Sequence, residues 1–222
     1  MSFLSVQEIY LKKKSGERVA FLLRHAERRH ILKTDKDFGA YVPLSERGEE
    51  QALDAGRELA VFKGSAFYAS SPVFRCAQTA SFIAKRRGDG NFADPEKIVK
   101  IPRLAEYYVA DYKIYEHLLL TGFYPAICQF VSQGRVDGFL PLAETSEELL
   151  KEILQKSSAD FNVFLTHDAW IVPFLTHFTD VRFAENRWLN FLSGAAVFFD
   201  EGSLKPRCVL PVKFLGDGYL YF

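Results

Sequence analysis

Phe21-Leu22-Leu23-Arg24-His25-Ala26-Glu27-Arg28 is the stretch that decides the fold, because an apolar run ends there abruptly at a histidine flanked by arginines. Residues 19–23 predict a buried strand, and open α/β sheets bind ligands beyond the carboxyl ends of their strands. Guanidinium forks match phosphate oxygens, and a neutral imidazole can attack phosphorus. Taken alone, the stretch predicts either a phosphoryl-transfer site or a basic surface turn.

Two further strand ends favour the site over the surface turn. The apolar run at residues 161–166 also ends at a histidine, His167. The run at residues 66–69 leads into a helix whose start is marked by Pro72, and Arg75 lies in the first turn of that helix. Together the three strand ends present a set of cationic and imidazole side chains: Arg24, His25, Arg28, Arg75 and His167.

Four motifs in this order resemble those of the histidine phosphatase superfamily, which has the phosphoglycerate-mutase-like fold. The family's Arg-His-Gly start appears as Arg24-His25-Ala26, and its Leu-Ser/Thr-x-x-Gly-x-x-Gln-Ala helix appears in residues 44–52. Its Ser-x-x-x-Arg-x-x-x-Thr-Ala segment appears in residues 71–80, and its second histidine appears as His167. The resemblance implies a phosphatase without a metal or other cofactor, which hydrolyses phosphomonoesters through a phosphohistidine on His25.

The same resemblance implies roles for the remaining side chains. The residues that would bind the transferring phosphoryl group and stabilise its charge are Arg24, Arg28, Arg75 and His167. Asp168 resembles the proton donor of the acid phosphatase branch, and Arg28 is another trait of that branch. Glu106, in Leu104-Ala105-Glu106, resembles the donor of the smaller phosphatase and mutase branch. We expect Asp168 to be the catalytic acid and base, with Glu106 as the alternative.

Two departures from the family pattern bear on function. Ala26 stands where the family has glycine, which is tolerated only if the residue does not need a positive φ. Arg28-Arg29-His30 occupies the positions where the mutases have serine and then asparagine, which favours a phosphatase over a phosphomutase. A phosphomutase of the same fold, or a non-catalytic module that binds phosphate or a phosphoprotein, is the alternative.

Two other classes of phosphohydrolase fit the sequence poorly. The segment from Cys128 to Arg135 is one residue too long for the Cys-x5-Arg loop of cysteine phosphatases, and it predicts a helix. His167-Asp168 could belong to a metal-dependent HD-type enzyme, but that fold is all-helical and this histidine follows a strand. Ligand spacing typical of a zinc site is absent from the sequence.

The order of predicted elements indicates an α/β protein. Strands alternate with helices through residue 178, and strand-like runs follow at residues 195–199, 209–214 and 219–222. This order predicts a three-layer α/β/α sandwich, with a mostly parallel central sheet, helices on both faces and an antiparallel edge. We expect a single domain over residues 1–222, with an aromatic-rich insert at about 103–160 that forms a local core or a lid.

The amino-acid composition limits the classes of binding partner. The formal net charge of the 222 residues is zero, which argues against nucleic acid or an anionic membrane surface as a partner. No apolar run predicts a signal peptide or a membrane span. The three scattered cysteines are typical of a reducing compartment, so we expect a cytoplasmic protein. The expected partner is a small phosphorylated metabolite or a phosphoprotein, and the sequence does not set the oligomeric state.

Overall fold

Strands and helices alternate along the chain in a computed structural model, which describes residues 2–32 and 34–222. The strands are β1 (Leu4–Ser5), β2 (Arg18–Arg24), β3 (Ala66–Ser70), β4 (Val99–Lys100), β5 (Phe161–Thr166), β6 (Arg187–Leu189), β7 (Gly194–Phe199), β8 (Cys208–Lys213) and β9 (Tyr219–Tyr221). The helices are α1 (Val6–Leu11), α2 (Glu46–Leu59), α3 (Phe74–Arg87), α4 (Tyr112–Thr121), α5 (Phe123–Gln133), α6 (Leu142–Lys156) and α7 (Asp168–Phe178). In this part of the chain, no helix combines the length and the apolar character that crossing a membrane requires.

Seven strands form the central sheet in the order β1-β8-β7-β2-β5-β3-β4. The neighbours β2, β5, β3 and β4 are parallel, as predicted, and β2 pairs with β5 in a register that places Arg24 opposite Thr166. Because these two central strands run in the same direction, His25 and His167 follow them at the same edge. β7 is antiparallel to both β2 and β8, so the antiparallel strand lies inside the sheet and not at the expected edge.

Helices cover both faces of the sheet, which confirms the three-layer α/β/α arrangement. Successive side chains of a strand point to opposite faces, and β2 follows this rule. Phe21 and Leu23 belong to one apolar core, which also holds residues of α1, α2 and α3. Ala20 and Leu22 belong to the other core, which holds residues of α5, α6 and α7. The sheet is therefore buried on both sides, and its carboxyl edge is the place where polar side chains collect.

Local signals fix the start of α2, next to that edge, and the end of α3, at the opposite edge. Ser45 precedes α2, and its hydroxyl accepts a hydrogen bond from the Gly48 amide at 3.1 Å, as an N-cap does. Gly88 follows α3 with a φ of 98°, a left-handed conformation that glycine adopts without strain. Both ends lie where the conformational preferences of serine and glycine favour them.

The aromatic-rich insert contributes to one of the two cores, and the first residues of the chain add a strand to the sheet. In the insert, Tyr107 and Tyr108 are buried in one of the two cores, while Tyr112 is 53% exposed at the start of α4. Part of the insert is thus a local core. At the start of the chain, Leu4–Ser5 adds a parallel edge strand next to β8, although a two-residue strand leaves no pattern in the sequence.

Candidate active site

His25 lies directly after β2 and is almost fully buried, with 2% of its surface exposed. Its Nδ1 lies 2.8 Å from the carbonyl oxygen of Ala26, and its Nε2 accepts a hydrogen bond from Arg75 Nε at 3.1 Å. Burial, and then the charge of Arg75, hold the pKa of His25 well below its usual range. The ring is therefore neutral, with the proton on Nδ1 and the lone pair on Nε2.

Arg75 is fixed by the junction between β3 and α3, where it lies in the first turn of the helix. Its Nη1 donates to the carbonyl oxygen of Gly39 at 2.8 Å, so the polar loop after His25 folds over the guanidinium. Thr79 joins the two segments, because its hydroxyl accepts from the Ala26 amide at 3.1 Å and donates to the Arg75 carbonyl at 2.8 Å. Ala26 does not have a positive φ, so its methyl group is tolerated in place of glycine.

His167 follows β5 and faces His25, with 5.5 Å between the ring centroids. The Ser71 hydroxyl lies 3.1 Å from His167 Nε2, and the Cys76 sulfur lies 3.8 Å from the same nitrogen. Burial and the charge of Arg75 lower the pKa of His167 to about 3, which makes this ring neutral as well. If the Ser71 hydroxyl donates to Nε2, the ring proton lies on Nδ1.

Arg24 is held from several sides. Its Nη2 lies 3.0 Å from Asp168 Oδ2 in an ion pair, and its Nη1 donates to the carbonyl oxygen of Leu189. The ring of Phe191 lies against the guanidinium, with 4.3 Å from the ring centroid to the guanidinium carbon. A cation against an aromatic face is stabilised by the quadrupole of the ring. The plane of Arg24 is thereby fixed next to the nucleophile.

Asp168 is a fully engaged carboxylate. Oδ2 accepts from Trp188 Nε1 at 2.8 Å in addition to Arg24, and Oδ1 accepts from the Ala169 amide at 3.1 Å. Burial alone would raise the pKa of Asp168, but the charge of Arg24 and the Trp188 hydrogen bond outweigh burial, so the pKa is lowered. Asp168 therefore remains ionised, a state that suits a charge partner better than a proton donor.

Arg28 has donors to spare. Its Nη1 donates to the carbonyl oxygen of Arg29 at 2.8 Å, while its Nε is buried without a partner among the described residues. Burial and the neighbouring charge of Arg75 lower the pKa of Arg28 to about 10. The side chain of Arg28 is therefore positively charged at neutral pH and has N–H groups without acceptors. A bound anion would balance the charge and accept hydrogen bonds from these N–H groups.

Glu106 lies at the rim of this cluster and is exposed. It ends the 3-10 turn Pro102–Ala105, and the two carbonyl groups before it are tied to the end of β5. The Leu104 carbonyl accepts from the Thr166 hydroxyl, and the Ala105 carbonyl accepts from Trp170 Nε1 at 2.8 Å. Because both donors flank His167, Glu106 is anchored next to the site, and its side chain makes no hydrogen bond or ion pair with residues 2–32 or 34–222.

Residues 188–191 form one side of the site. They belong to a part of the chain in which the sequence showed no functional motif. Trp188 and Phe191 approach Asp168 and Arg24 as described, through a turn that includes Leu192 with a φ of 56°. A left-handed conformation is strained for leucine. The signals available to sequence reasoning, an asparagine and small residues in the turn, indicated only a loop.

The family assignment rests on the chain as a whole. The model of the histidine phosphatase superfamily (branch 1) matches residues 20–201, which is most of the chain. The chain belongs to the histidine phosphatase superfamily. No protein with a curated description matches it.

Solved structures of this superfamily share the fold. A mycobacterial glucosyl-3-phosphoglycerate phosphatase is 18% identical, with a TM-score of 0.54 over 89% of this chain and 100% of the other. A phosphoglycerate mutase from Bacillus anthracis is 16% identical, with a TM-score of 0.54 over 91% of this chain and 94% of the other. A phosphoserine phosphatase from Entamoeba histolytica is 18% identical, with a TM-score of 0.52 over 89% and 96%. At such identities the similarity shows the fold alone.

The histidine phosphatase fold thus gathers the five predicted cationic and imidazole side chains at one edge of the sheet, with Asp168 among them and Glu106 at the rim. Over the described ranges, no group of three or more histidine, cysteine or acidic residues is arranged to hold a metal ion.

Proposed function

We propose that the protein is a phosphatase that hydrolyses phosphomonoesters without a metal, through a phosphohistidine on His25. The observation that carries this proposal is the state of the imidazole. It is buried, neutral and polarised by the Ala26 carbonyl, with its Nε2 lone pair turned toward the Arg75 guanidinium. An imidazole in this state is a competent nucleophile, and a phosphoryl group bound to Arg75 would meet that lone pair.

In the first displacement, His25 Nε2 forms a bond to phosphorus as the ester P–O bond breaks. The positive charge that develops on the ring is stabilised by the Ala26 carbonyl at Nδ1–H. Arg28 and Arg75 bind the phosphoryl oxygens, together with Nδ1–H of His167. In Arg24, Nη2 already donates one N–H to Asp168, and Nη1 donates one to the Leu189 carbonyl. The second N–H of each nitrogen would bind a phosphoryl oxygen.

The charges of this arrangement balance. Arg24 and Asp168 form an ion pair, and both histidines are neutral, so Arg28 and Arg75 remain as two positive charges. A phosphomonoester above its second pKa, about 6, has two negative charges. Two guanidiniums therefore neutralise the substrate and the transition state, which supports a reaction that needs no divalent cation.

We further propose that Glu106, and not Asp168, protonates the leaving oxygen. Asp168 was the donor that the sequence favoured, but its lowered pKa and its contacts with Arg24 and Trp188 make it a poor acid. Glu106 is free of such contacts and anchored at the rim, where a leaving group would emerge. In the second displacement, the ionised Glu106 would take a proton from the water that attacks phosphohistidine, which restores the acid.

We also propose a cellular location and a class of substrate. The three cysteines, Cys76, Cys128 and Cys208, are free thiols, which supports the proposal of a reducing, cytoplasmic location. A small phosphorylated metabolite or a phosphoprotein would supply the phosphomonoester.

Hydrolysis of a generic aryl phosphate tests the reaction class. Release of inorganic phosphate would be measured from about pH 4 to pH 8 with a chelator present, for the wild type, His25→Ala and a matched control, His30→Ala. We expect activity in the wild type and the control, and none in His25→Ala. Equal activity in His25→Ala would refute the proposal, whereas phosphate binding without release would indicate a binding module. Transfer of the phosphoryl group within a substrate, without free phosphate, would indicate a mutase.

The leaving-group dependence of two variants tests the proton donor. Glu106→Gln should slow phosphoryl transfer to the enzyme from alkyl phosphates, whose alkoxide needs a proton, and spare that transfer from aryl phosphates with an acidic phenol, measured as the alcohol or phenol released in the first turnover. Asp168→Asn should lower kcat for both esters by the same factor, because it acts through Arg24. The reverse pattern would return the role of donor to Asp168.

A further inference from the structure

Two half-buried tyrosines line the side of the site that faces the insert. Tyr124 of α5 packs edge-on against Trp188, with ring centroids 4.9 Å apart, and Trp188 Nε1 donates to Asp168. Tyr115 of α4 packs against Trp170, with ring centroids 5.5 Å apart. Trp170 lies in α7, two residues after Asp168. Tyr124 therefore lies one side chain away from the acidic partner of Arg24, and Tyr115 lies beside the first turn of the helix that Asp168 begins.

The hydroxyl groups of these tyrosines lie within electrostatic range of the site. Burial, and then the charge of Asp168, raise the pKa of Tyr115 and of Tyr124. Neither hydroxyl has a hydrogen-bond partner among residues 2–32 and 34–222, in contrast to Tyr107 and Tyr108, which bond to Glu152 and Ser146. Two aromatic rings whose hydroxyl groups have no partner within the described ranges therefore lie on the insert side of the site.

The same side of the site lacks spare positive charge. In α5 no residue is charged, and Lys113 of α4 is exposed. In the loop after His25, Arg29 makes two hydrogen bonds to Asp35, at 2.7 and 2.6 Å. Since Arg28 and Arg75 together balance one phosphoryl dianion, a second anionic group on a substrate would find no buried cation and would face Glu106.

We infer that the substrate is the phosphomonoester of an uncharged, apolar alcohol with an aromatic ring, and that Tyr115 and Tyr124 determine this specificity. The inference rests on the proposed phosphatase function. The ring of the leaving group packs against the tyrosines, and aromatic pairs of this kind add to the free energy of burying apolar area. Substrates with a carboxylate next to the phosphate are selected against, because that carboxylate loses its hydration without gaining a partner.

Three esters test this specificity with leaving groups that are all alkoxides, so that an acidic phenol does not bias the comparison: benzyl phosphate, glycerol 2-phosphate and O-phosphoserine. We expect kcat/KM for benzyl phosphate to exceed that for O-phosphoserine at least about tenfold, from the burial of the phenyl ring. Equal or better hydrolysis of O-phosphoserine overturns the specificity and leaves the phosphatase function standing. Failure to hydrolyse any of the three, with no phosphate on His25, refutes both.

Variants of Tyr124 separate specificity from folding. Tyr124→Leu should raise KM roughly fivefold for benzyl phosphate and by a smaller factor for O-phosphoserine, whereas Tyr124→Phe should retain the preference. Tyr124→Arg places a cation where the carboxylate would lie, so it should increase kcat/KM for O-phosphoserine, a gain that misfolding does not produce. Tyr10→Ala, in the remote helix α1, is the control and should leave kcat/KM unchanged for both substrates. Equal losses on both substrates in the Leu and Arg variants would contradict the assignment.

Discussion

Acidification should lower the free energy of unfolding, and the two histidines of the site should determine how steeply it falls with pH. Burial holds the pKa of His25 well below its usual range and lowers that of His167 to about 3, whereas both titrate near pH ~6.5 in an unfolded chain. Between these values the unfolded state binds more protons than the folded state, so the free energy of unfolding falls as the pH falls. Below about pH 6, where the unfolded histidines are mostly protonated, each histidine contributes up to ~1.4 kcal/mol per pH unit and the pair up to ~2.7 kcal/mol per pH unit.

Urea unfolding at a series of pH values between about 4.5 and 7 measures this slope. The window lies above the pKa of carboxylates such as Asp168, whose lowered pKa stabilises the fold above pH ~3.8 and loses that effect only at lower pH. In His25→Asn only one of the two histidines remains to bind a proton on unfolding, so the slope should become shallower by up to ~1.4 kcal/mol per pH unit. Because the comparison is between slopes, a change in absolute stability of the variant does not affect it. An unchanged slope in His25→Asn would refute the claim that the nucleophile is buried as a neutral ring.

Other predictions concern packing, charge and metal. In Gly48→Ala the new Cβ would lie 2.0 Å from the carbonyl oxygen of Glu27, so chemical unfolding should show a loss of about 3 kcal/mol or more, while Gly90→Ala, with open space around it, should be nearly neutral. Phe191→Leu removes the ring beside Arg24, so kcat should fall about three- to tenfold with little change in KM, and Phe191→Tyr should restore it. Dialysis against a chelator should leave phosphatase activity unchanged, because guanidiniums supply the positive charge; recovery only after a divalent cation is added would contradict this.

The central strands and the helix ends were predictable because their signals are local. The apolar run that became β2 ends at the arginine–histidine pair, and residues 161–166 match β5 from end to end. Ser45 and Gly88 mark helix ends through the conformations that serine and glycine favour. The rule that ligands bind at the carboxyl ends of parallel strands then brings His25 and His167 together.

The partners of these side chains were not predictable, because they come from distant segments without a periodic pattern. The Leu189 carbonyl that accepts from Arg24 lies 165 residues away in the sequence. Trp188 and Phe191 give an apolar pattern that indicates burial in any context, and nothing in it identifies the two residues as neighbours of Asp168 and Arg24. The choice between Asp168 and Glu106 as proton donor depends on which carboxylate is engaged, and only the three-dimensional contacts show that.

The most direct test of the account is the identity of the phosphorylated residue in Glu106→Gln. An aryl phosphate with an acidic phenol should still transfer its phosphoryl group to the enzyme in this variant, while hydrolysis of the intermediate slows because the water lacks its base. After an alkaline quench, which preserves phosphohistidine, peptide mass spectrometry should locate one phosphate per chain on His25. Phosphate on another residue, or turnover with no phosphoenzyme at all, would contradict the account.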